Sequence, residues 1–544
     1  MQATMITLPL SVNHFLDRAG TLFKHNQIVS RLPDKTLRNH TYGQWAQRTR
    51  ALGAALQALG LQKGDRVATL SWNHHAHLEA YFGIPAAGGV MHTLNLRLSP
   101  DELGWIAADA QDRFLIVDDV LLPLYQQFAH LHAFEKVIVF PFSGAPVPAG
   151  FTDYEALLAG ANADGFVCAP HAEDDPIAMC YTSGTTGRPK GVAYSHRSTV
   201  LHTLVAALSD HWALRSTDVV CPVTPMFHAN CWGLPYGAVM LGVKVVFPGP
   251  HLHADDLLDL FTSQQPTLTL GVPTIWLTVI QAYERALAEQ PGRWKLPAGM
   301  RSLVGGAAVP VSLIQAFDRH GVQILQGWGM TETSPLATVG YPRAEVAGQG
   351  DAERFRRAAM AGTPAPLVDI RLRTDEGTLA PWDGQTMGEI QVRGNFITGS
   401  YHQVPVAPDK FTDDGWLRTG DVATMDDLGT LRITDRTKDL IKSGGEWISS
   451  VDVENALMAH PAVAEAAVIA IPDEKWSERP LACIALKPGQ QPPADVLALR
   501  LNEHLMAHGF AKWQCPERYE VLPQIPRTST GKFWKLNLRE LFPA

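Results

Sequence analysis

The run Tyr181-Thr-Ser-Gly-Thr-Thr-Gly-Arg-Pro-Lys-Gly191 crowds hydroxyls, glycines and a lysine into eleven residues directly after an apolar stretch. Gly184 and Gly187 let the backbone approach an anion and reach positive φ, Thr182, Ser183, Thr185 and Thr186 supply neutral donors, and Lys190 adds a positive charge. Those are the groups a triphosphate requires. The apolar stretch Ile177-Ala-Met-Cys180 predicts a buried strand that would deliver them. The spacing is not that of a Walker loop, which carries Ser or Thr after its lysine; here Gly191 follows Lys190.

The string resembles the signature loop of the adenylate-forming (ANL) superfamily, and within it the chain is most similar to bacterial medium- and long-chain fatty-acyl-CoA synthetases and methylmercaptopropionate-CoA ligases. The likeness continues through Pro225-Met-Phe-His-Ala-Asn-Cys-Trp232, Gln326-Gly-Trp-Gly-Met-Thr-Glu-Thr333, Arg418-Thr-Gly-Asp421, Asp435-Arg-Thr-Lys-Asp-Leu-Ile-Lys-Ser-Gly-Gly-Glu-Trp447 and Pro526-Arg-Thr-Ser-Thr-Gly-Lys532. It therefore covers nearly the whole chain in the family order. The resemblance implies ATP and coenzyme A as co-substrates and Mg2+ as the metal. Attack of a carboxylate on the α-phosphate of ATP gathers charge on phosphoryl oxygens, which calls for cations, a metal and preorganised donors.

Roles follow by resemblance. Thr331 contacts the α-phosphate, and Glu332 with Thr182 holds magnesium, whose preference is for oxygen ligands. Gly305, Gly306 and Ala307 lie flat against the purine and Trp328 stacks on its other face, with Gln326, Gly327 and Gly329 completing the rim. The family more often has Tyr at the position of Trp328; stacking survives that change, whereas a phenol's hydrogen bond does not. Asp421 and Arg436 take the ribose, and Lys438 marks the hinge. Lys532 is inserted between carboxylate and α-phosphate. Lys442, Gly444, Gly445 and Trp447 form the segment presented in the thioester-forming state. Phe227, His228, Ala229 and Trp232 border the acyl site, with Trp232 as the gate of an acyl tunnel, and residues 271–276 add a further wall.

The elements that must position these residues are legible from pattern. With 544 residues and 46% hydrophobic content, the chain exceeds what one core supports, so two or more domains are expected. Short β-branched runs at 66–70, 114–117, 137–140, 243–247 and 322–325 alternate with helical periods such as 42–59, which predicts parallel α/β sheets. Residues 370–392 change to short strands and turns, a small β-barrel-like unit. After Arg436 a smaller α+β unit is expected, with a helix at 453–458, strands at 466–471 and 481–486 and a helix at 494–508. The fold class is thus α/β: residues 1–436 form an N-terminal adenylation domain of two parallel α/β subdomains plus the β unit, and 437–544 a small mobile α+β C-terminal domain.

Net charge of -9 gives no footprint for nucleic acid. Six cysteines without ligand spacing predict reduced core thiols in a cytoplasmic protein. The clusters His74-His75-Ala-His77 and His251-Leu-His253 read as surface or nucleotide-loop edges rather than metal sites. The N-terminal stretch lacks the basic region of a secretory signal, and no segment is long enough to span a membrane, although peripheral contact stays open for a fatty-acid enzyme. A homodimer is expected from the fatty-acid branch alone. The reading is an AMP-forming acyl-CoA synthetase for medium- to long-chain fatty acids. Its alternatives are a ligase for a short thioether or branched acid, an acyl-AMP ligase loading a carrier protein, and a nucleotide-binding protein without ligase activity.

Overall fold

A computed structural model describes residues 3–182, 188–346, 348–444, 446–487, 489–490, 492–528 and 532–543. Two large sheets carry the first four hundred residues. The seven-stranded sheet runs in the spatial order Thr152–Asp153, Lys136–Phe140, Asp112–Asp118, Arg66–Leu70, Val90–Thr93, Pro176–Tyr181, Gly191–Ser195, and only its last pair is antiparallel. In the nine-stranded sheet a parallel centre, from Gln27–Arg31 to Gln323–Gly329, is flanked by antiparallel strands at both edges. Central strands such as Asp112–Asp118, with Phe114 through Val117 fully covered, are buried on both faces, as parallel sheets with helices on each side require.

The helix Tyr42–Ala58 starts where the sequence predicts, because Thr41 accepts from the Gln44 amide and the Gln44 side chain accepts from the Thr41 amide. The helix His75–Ala86 overturns the surface reading of its histidines: every residue in it is buried. It is wedged between the two sheets. His75 Nδ1 meets Ser30 Oγ of one sheet at 3.1 Å, His77 Nε2 meets Thr69 Oγ1 of the other at 3.0 Å, and His74 Nε2 meets Asp118 Oδ1 at 2.9 Å. Burial holds His77 down at about 3, so it serves as a neutral packing and hydrogen-bonding group. All six cysteines are free, five of them buried.

The unit expected at 370–392 is a four-stranded antiparallel sheet of Val368–Arg373, Gly388–Gly394, Leu417–Met425 and Leu431–Arg436. The chain then crosses at 437–440 into a separate sheet of Ile441–Ser443, Glu446–Ile448, Val463–Asp473, Ser477–Leu486 and Arg518–Val521. This sheet packs the helices Ser450–Ala459 and Ala494–Ala507 over a core of its own. The two sides meet through polar contacts. Ser449 Oγ donates to Thr434 O at 2.6 Å, Ser450 N to Asp435 Oδ2 at 2.8 Å, and Arg432 reaches both Asp452 oxygens at 2.7 Å.

Ala229, Asn230, Cys231 and Trp232 all have positive φ, from 42° to 56°, and Gly233 continues the run at 83°. A left-handed turn of L-residues costs roughly 1–2 kcal/mol per residue and persists only when its surroundings over-determine it. Here they do. The Asn73 amide donates to Pro222 O and Thr224 O at 3.0 and 2.9 Å and accepts from Met226 N at 2.7 Å, Cys231 Sγ donates to Thr224 O, and Cys180 Sγ donates to Asn230 Oδ1. Asn73→Ala removes three buried hydrogen bonds to backbone groups. Its cost is expected to be about 2–4 kcal/mol, read as a fall of several degrees in the melting transition; a transition within one degree of wild type would show that these bonds do not hold the turn.

Candidate active site

A cavity of about 390 Å³ opens where the central strands of the nine-stranded sheet end, the usual ligand position of such sheets. Thr182 and Lys190, the described ends of the hydroxyl-rich loop, form one wall; the loop's Ser183, Gly184, Thr185, Thr186 and Gly187 lie outside the described residues. Lys190 Nζ sits 5.0 Å from the centre of the Tyr401 ring, a cation–π contact that holds the ammonium at the cavity edge. Gly305 and Gly306 form another wall. A β-carbon on Gly305 would stand 2.8 Å from Gly327 O, and Gly306 lies at φ 84° with Lys532 Cε 3.6 Å from where its β-carbon would be. A side chain at 305 would press into the backbone, and one at 306 would have room but sit in a strained left-handed conformation.

Thr331 and Glu332 line the cavity from the turn after Gln323–Gly329. Glu332 is almost wholly buried, and burial raises its pKa against the opposing hydrogen bond from Tyr401, whose hydroxyl donates to Oε1 at 2.7 Å. Tyr194 donates to Thr331 O at 2.8 Å and fixes the turn from the side of the seven-stranded sheet. Opposite them Lys532 enters from the C-terminal domain. Burial lowers its pKa to about 8, reinforced by Arg436 and opposed by the carboxylates Asp421 and Glu332. His228, also in the wall, is lowered to about 4 by burial, with Lys532 and Arg97 contributing, and is neutral at neutral pH.

Several sequence-predicted residues take other places. Asp421 stands behind the wall, where its Oδ2 accepts from Trp328 Nε1 at 2.8 Å and its Oδ1 pairs with Arg436 Nε at 3.3 Å. The indole thus supplies a polar contact of its own, and Trp328, Arg436 and Lys438 do line the cavity. Gln326 is not at the rim: it is buried, and its side chain accepts from Val309 N at 3.1 Å. Ala307 is exposed beyond the wall. Gly327 and Gly329 line the cavity, as do Ala229 and Trp232, whereas Phe227 faces a small adjoining recess shared with Thr93 and His228. The far edge of the Trp232 indole lies against Gly305, 3.5 Å from the position a β-carbon would take there.

Lys442, Gly444 and Trp447 are outside the cavity. Lys442 is exposed, with its amide donating to Glu478 at 2.7 Å and its ammonium over Trp447, and Trp447 borders a separate cleft against the four-stranded sheet; Gly445 lies outside the described residues. Sequence reasoning missed Tyr401 and Lys410, which both line the cavity. They come from irregular chain at 395–416, where neither periodicity nor a motif marks them. Arg188 also lines it and lay unremarked within the loop string.

Residues 21–402 match the family model described as AMP-binding enzyme, and 452–532 match that of the AMP-binding enzyme C-terminal domain. The chain is 47% identical to a long-chain-fatty-acid–CoA ligase of Thermus thermophilus over 541 residues, covering 99% of this chain and 97% of the relative. It is 40% identical to a 3-methylmercaptopropionyl-CoA ligase of Ruegeria lacuscaerulensis, covering 100% and 99%. Among solved structures it is similar to the anthranilate CoA ligase AuaEII in complex with anthranoyl-AMP, with a TM-score of 0.85 and 26% identity over 100% and 99% of the two chains.

The charge environment of Lys532 is directly measurable. In a 13C-methyl-lysine NMR titration of the ligand-free enzyme Lys532 is expected to titrate near 8. Asp421→Asn removes a negative charge that favours the ammonium and should move it lower. A value close to the ordinary 10.5, unchanged by Asp421→Asn, would place the side chain in water.

Proposed function

Because the chain belongs to the AMP-binding enzyme family, we propose that its cavity joins a carboxylic acid to ATP and then to a thiol, an AMP-forming acyl-CoA synthetase acting on medium- to long-chain fatty acids. The acid's oxygen attacks the α-phosphorus, pyrophosphate leaves, and an acyl adenylate forms; the thiol of coenzyme A then attacks the acyl carbonyl and AMP leaves. The observation that carries this reading is the half-buried Lys532 lining the same cavity as Thr331, Glu332 and Lys190. Such a cation, partly withdrawn from water, can bridge a carboxylate and a phosphoryl oxygen and stabilise the charge that grows between them. Thr331 offers a hydroxyl to the same phosphoryl group, and Lys190 faces the leaving pyrophosphate. Neutral His228, on the wall shared by cavity and recess, can turn without moving a charge. Trp328, anchored by Asp421, presents its ring to the purine.

Glu332 and Thr182 bring a carboxylate and a hydroxyl oxygen to the cavity, a donor set that suits Mg2+. Among the described residues no cluster of three or more His, Cys, Asp or Glu could hold a metal, so nucleotide oxygens and water would have to complete the shell. When bound, the ion would neutralise phosphate charge.

The exposed Lys442 and the adjoining glycines would serve the thioester step after the C-terminal domain, residues 437–544, turns about Lys438. The contacts between Arg432, Thr434 and Asp435 on one side and Ser449, Ser450 and Asp452 on the other support this, since they are polar groups that water can replace once the domain turns, and the Arg432–Asp452 pair is already partly exposed. A cytoplasmic homodimer is our reading of the remaining context; no described helix is long and apolar enough to cross a membrane. The CoA-ligase names of the relatives favour coenzyme A over a carrier protein as acceptor. A short thioether acid is the second reading, favoured by the Trp232 indole, which closes the cavity against Gly305.

Two outcomes test these roles. Lys532→Ala is expected to slow acyl-adenylate formation by at least about a thousandfold, roughly 4 kcal/mol, while supplied acyl-AMP is still converted to acyl-CoA; Lys442→Ala should do the reverse. Equal loss of both steps in either variant would refute the division. For the substrate, kcat/KM along even-numbered acids should rise severalfold per CH2, each buried methylene contributing about 0.8 kcal/mol, and Trp232→Ala should change that profile. A maximum below six carbons in both enzymes would establish the short-acid reading.

A further inference from the structure

The C-terminal domain contains one buried guanidinium that the adenylation cavity does not use. Arg479, on the strand Ser477–Leu486, is only 6% exposed, yet it reaches two separate stretches of chain. Nη1 donates to Ser443 Oγ at 3.1 Å and to Trp513 O; Nη2 donates to Cys515 O at 3.4 Å and to Glu517 Oε1 at 2.8 Å, and Nε is buried with no partner. Burying such an ion is costly unless geometry demands it.

What the geometry serves is visible next to it. Ser443 is the last residue of the strand Ile441–Ser443 and leads into Gly444, at φ 63°. Gly444 N donates to Trp476 O at 2.8 Å, and a β-carbon on Gly444 would stand 2.8 Å from the Trp476 ring. Glu478 accepts from the Lys442 amide at 2.7 Å. Residues 476–479 therefore form a bed beneath the Lys442–Gly444 turn, with Trp476 below the glycine, Glu478 at the lysine backbone and Arg479 at the serine. Among these groups the guanidinium alone also ties the turn to the 513–517 segment.

We propose that Arg479 is a positioning residue for the thioester-forming step: through Ser443 it fixes the height and direction of the Lys442–Gly444 turn relative to the rest of the C-terminal domain, so that the turn arrives at the cavity already shaped. This rests on the reading above that the Lys442 face serves the second half-reaction. Arg479 plays no part in adenylation, because neither it nor Ser443 lines the cavity that Lys532 enters. A lysine at 479 keeps the charge but loses the planar fork that bonds Ser443 and the 513–517 backbone together.

The test separates the half-reactions in the full-length enzyme. ATP–pyrophosphate exchange, single-turnover conversion of isolated acyl-AMP at varied coenzyme A, and melting temperature are measured for wild type, Ser443→Ala, Arg479→Lys and Lys442→Ala. Ser443→Ala removes one buried bond while Nη1 keeps Trp513 O, so it should melt within a few degrees of wild type, keep exchange within about twofold, and lower the maximal thioester rate by about tenfold, the worth of one hydrogen bond to a charged group. Arg479→Lys should lower that rate further, again with exchange retained and with little change in the coenzyme A concentration for half-saturation. If Lys442→Ala slows the thioester step while both other variants leave it unchanged, the positioning role is wrong and the reading of the face stands. If Lys442→Ala also leaves it unchanged, the reading of the face falls and the inference with it. Parallel loss of both half-reactions together with a lowered melting temperature in Ser443→Ala and Arg479→Lys would reduce Arg479 to a structural residue and overturn the proposal.

Discussion

The costly element of this molecule is the ammonium of Lys532, drawn partly out of water in a cavity it enters from the C-terminal sheet's side. Desolvation alone drives the proton off, and the lowered value of about 8 reflects that burial. What keeps the group cationic near neutral pH is the arrangement of charge around it: Asp421 behind the wall and Glu332 in it both favour the ammonium, while Arg436 opposes it. The carboxylates in turn are committed to fixed donors, Trp328 for Asp421 and Tyr401 for Glu332, so neither can swing over to form a tight ion pair without losing a buried bond. The cation is held close to opposite charge and left open toward an anionic ligand.

The same constraint explains the docking of the C-terminal domain. On the proposed mechanism Lys532 enters and leaves, which a large apolar interface would prevent, and the C-terminal core is closed within its own sheet and helices. Across the crossover the contacts include serine hydroxyls, a buried capping carboxylate, Thr437 bonded to Gly420 O, and the partly exposed Arg432–Asp452 pair, the last a kind worth about 0–1 kcal/mol. By contrast, the cavity wall formed by Ala229 and Trp232 is fixed. Its left-handed turn is clamped by Asn73, Cys180 and Thr224, and the Trp232 it carries lies against Gly305.

Much of this was legible in the sequence because the chemistry is concentrated in short motifs. Thr331, Glu332, Lys190 and Lys532 are brought to one cavity from positions far apart in the chain, and the alternation of apolar runs gave the two parallel sheets. What the sequence concealed has physical causes. Histidines 74, 75 and 77 looked polar enough for the surface, but each finds an internal partner between the sheets, and such pairing has no local signature. Tyr401 and Lys410 lie on irregular chain without period or motif. The Trp328–Asp421 bond joins residues 93 apart and depends on an indole where the family more often has a phenol. Gln326 sits inside a recognised motif, yet its amide turns inward to Val309, which spacing cannot reveal.

The central claim, that one cavity is served in turn by two faces of the C-terminal domain, is tested most directly by a crystal structure of the enzyme with a non-reactive acyl-adenylate analogue and coenzyme A. The account predicts Lys532 withdrawn from the cavity, the Lys442–Gly444 turn facing it, and the Arg432–Asp452 and Ser450–Asp435 contacts broken. Lys532 still in the cavity, with the thiol at the acyl carbonyl and those contacts intact, would contradict it.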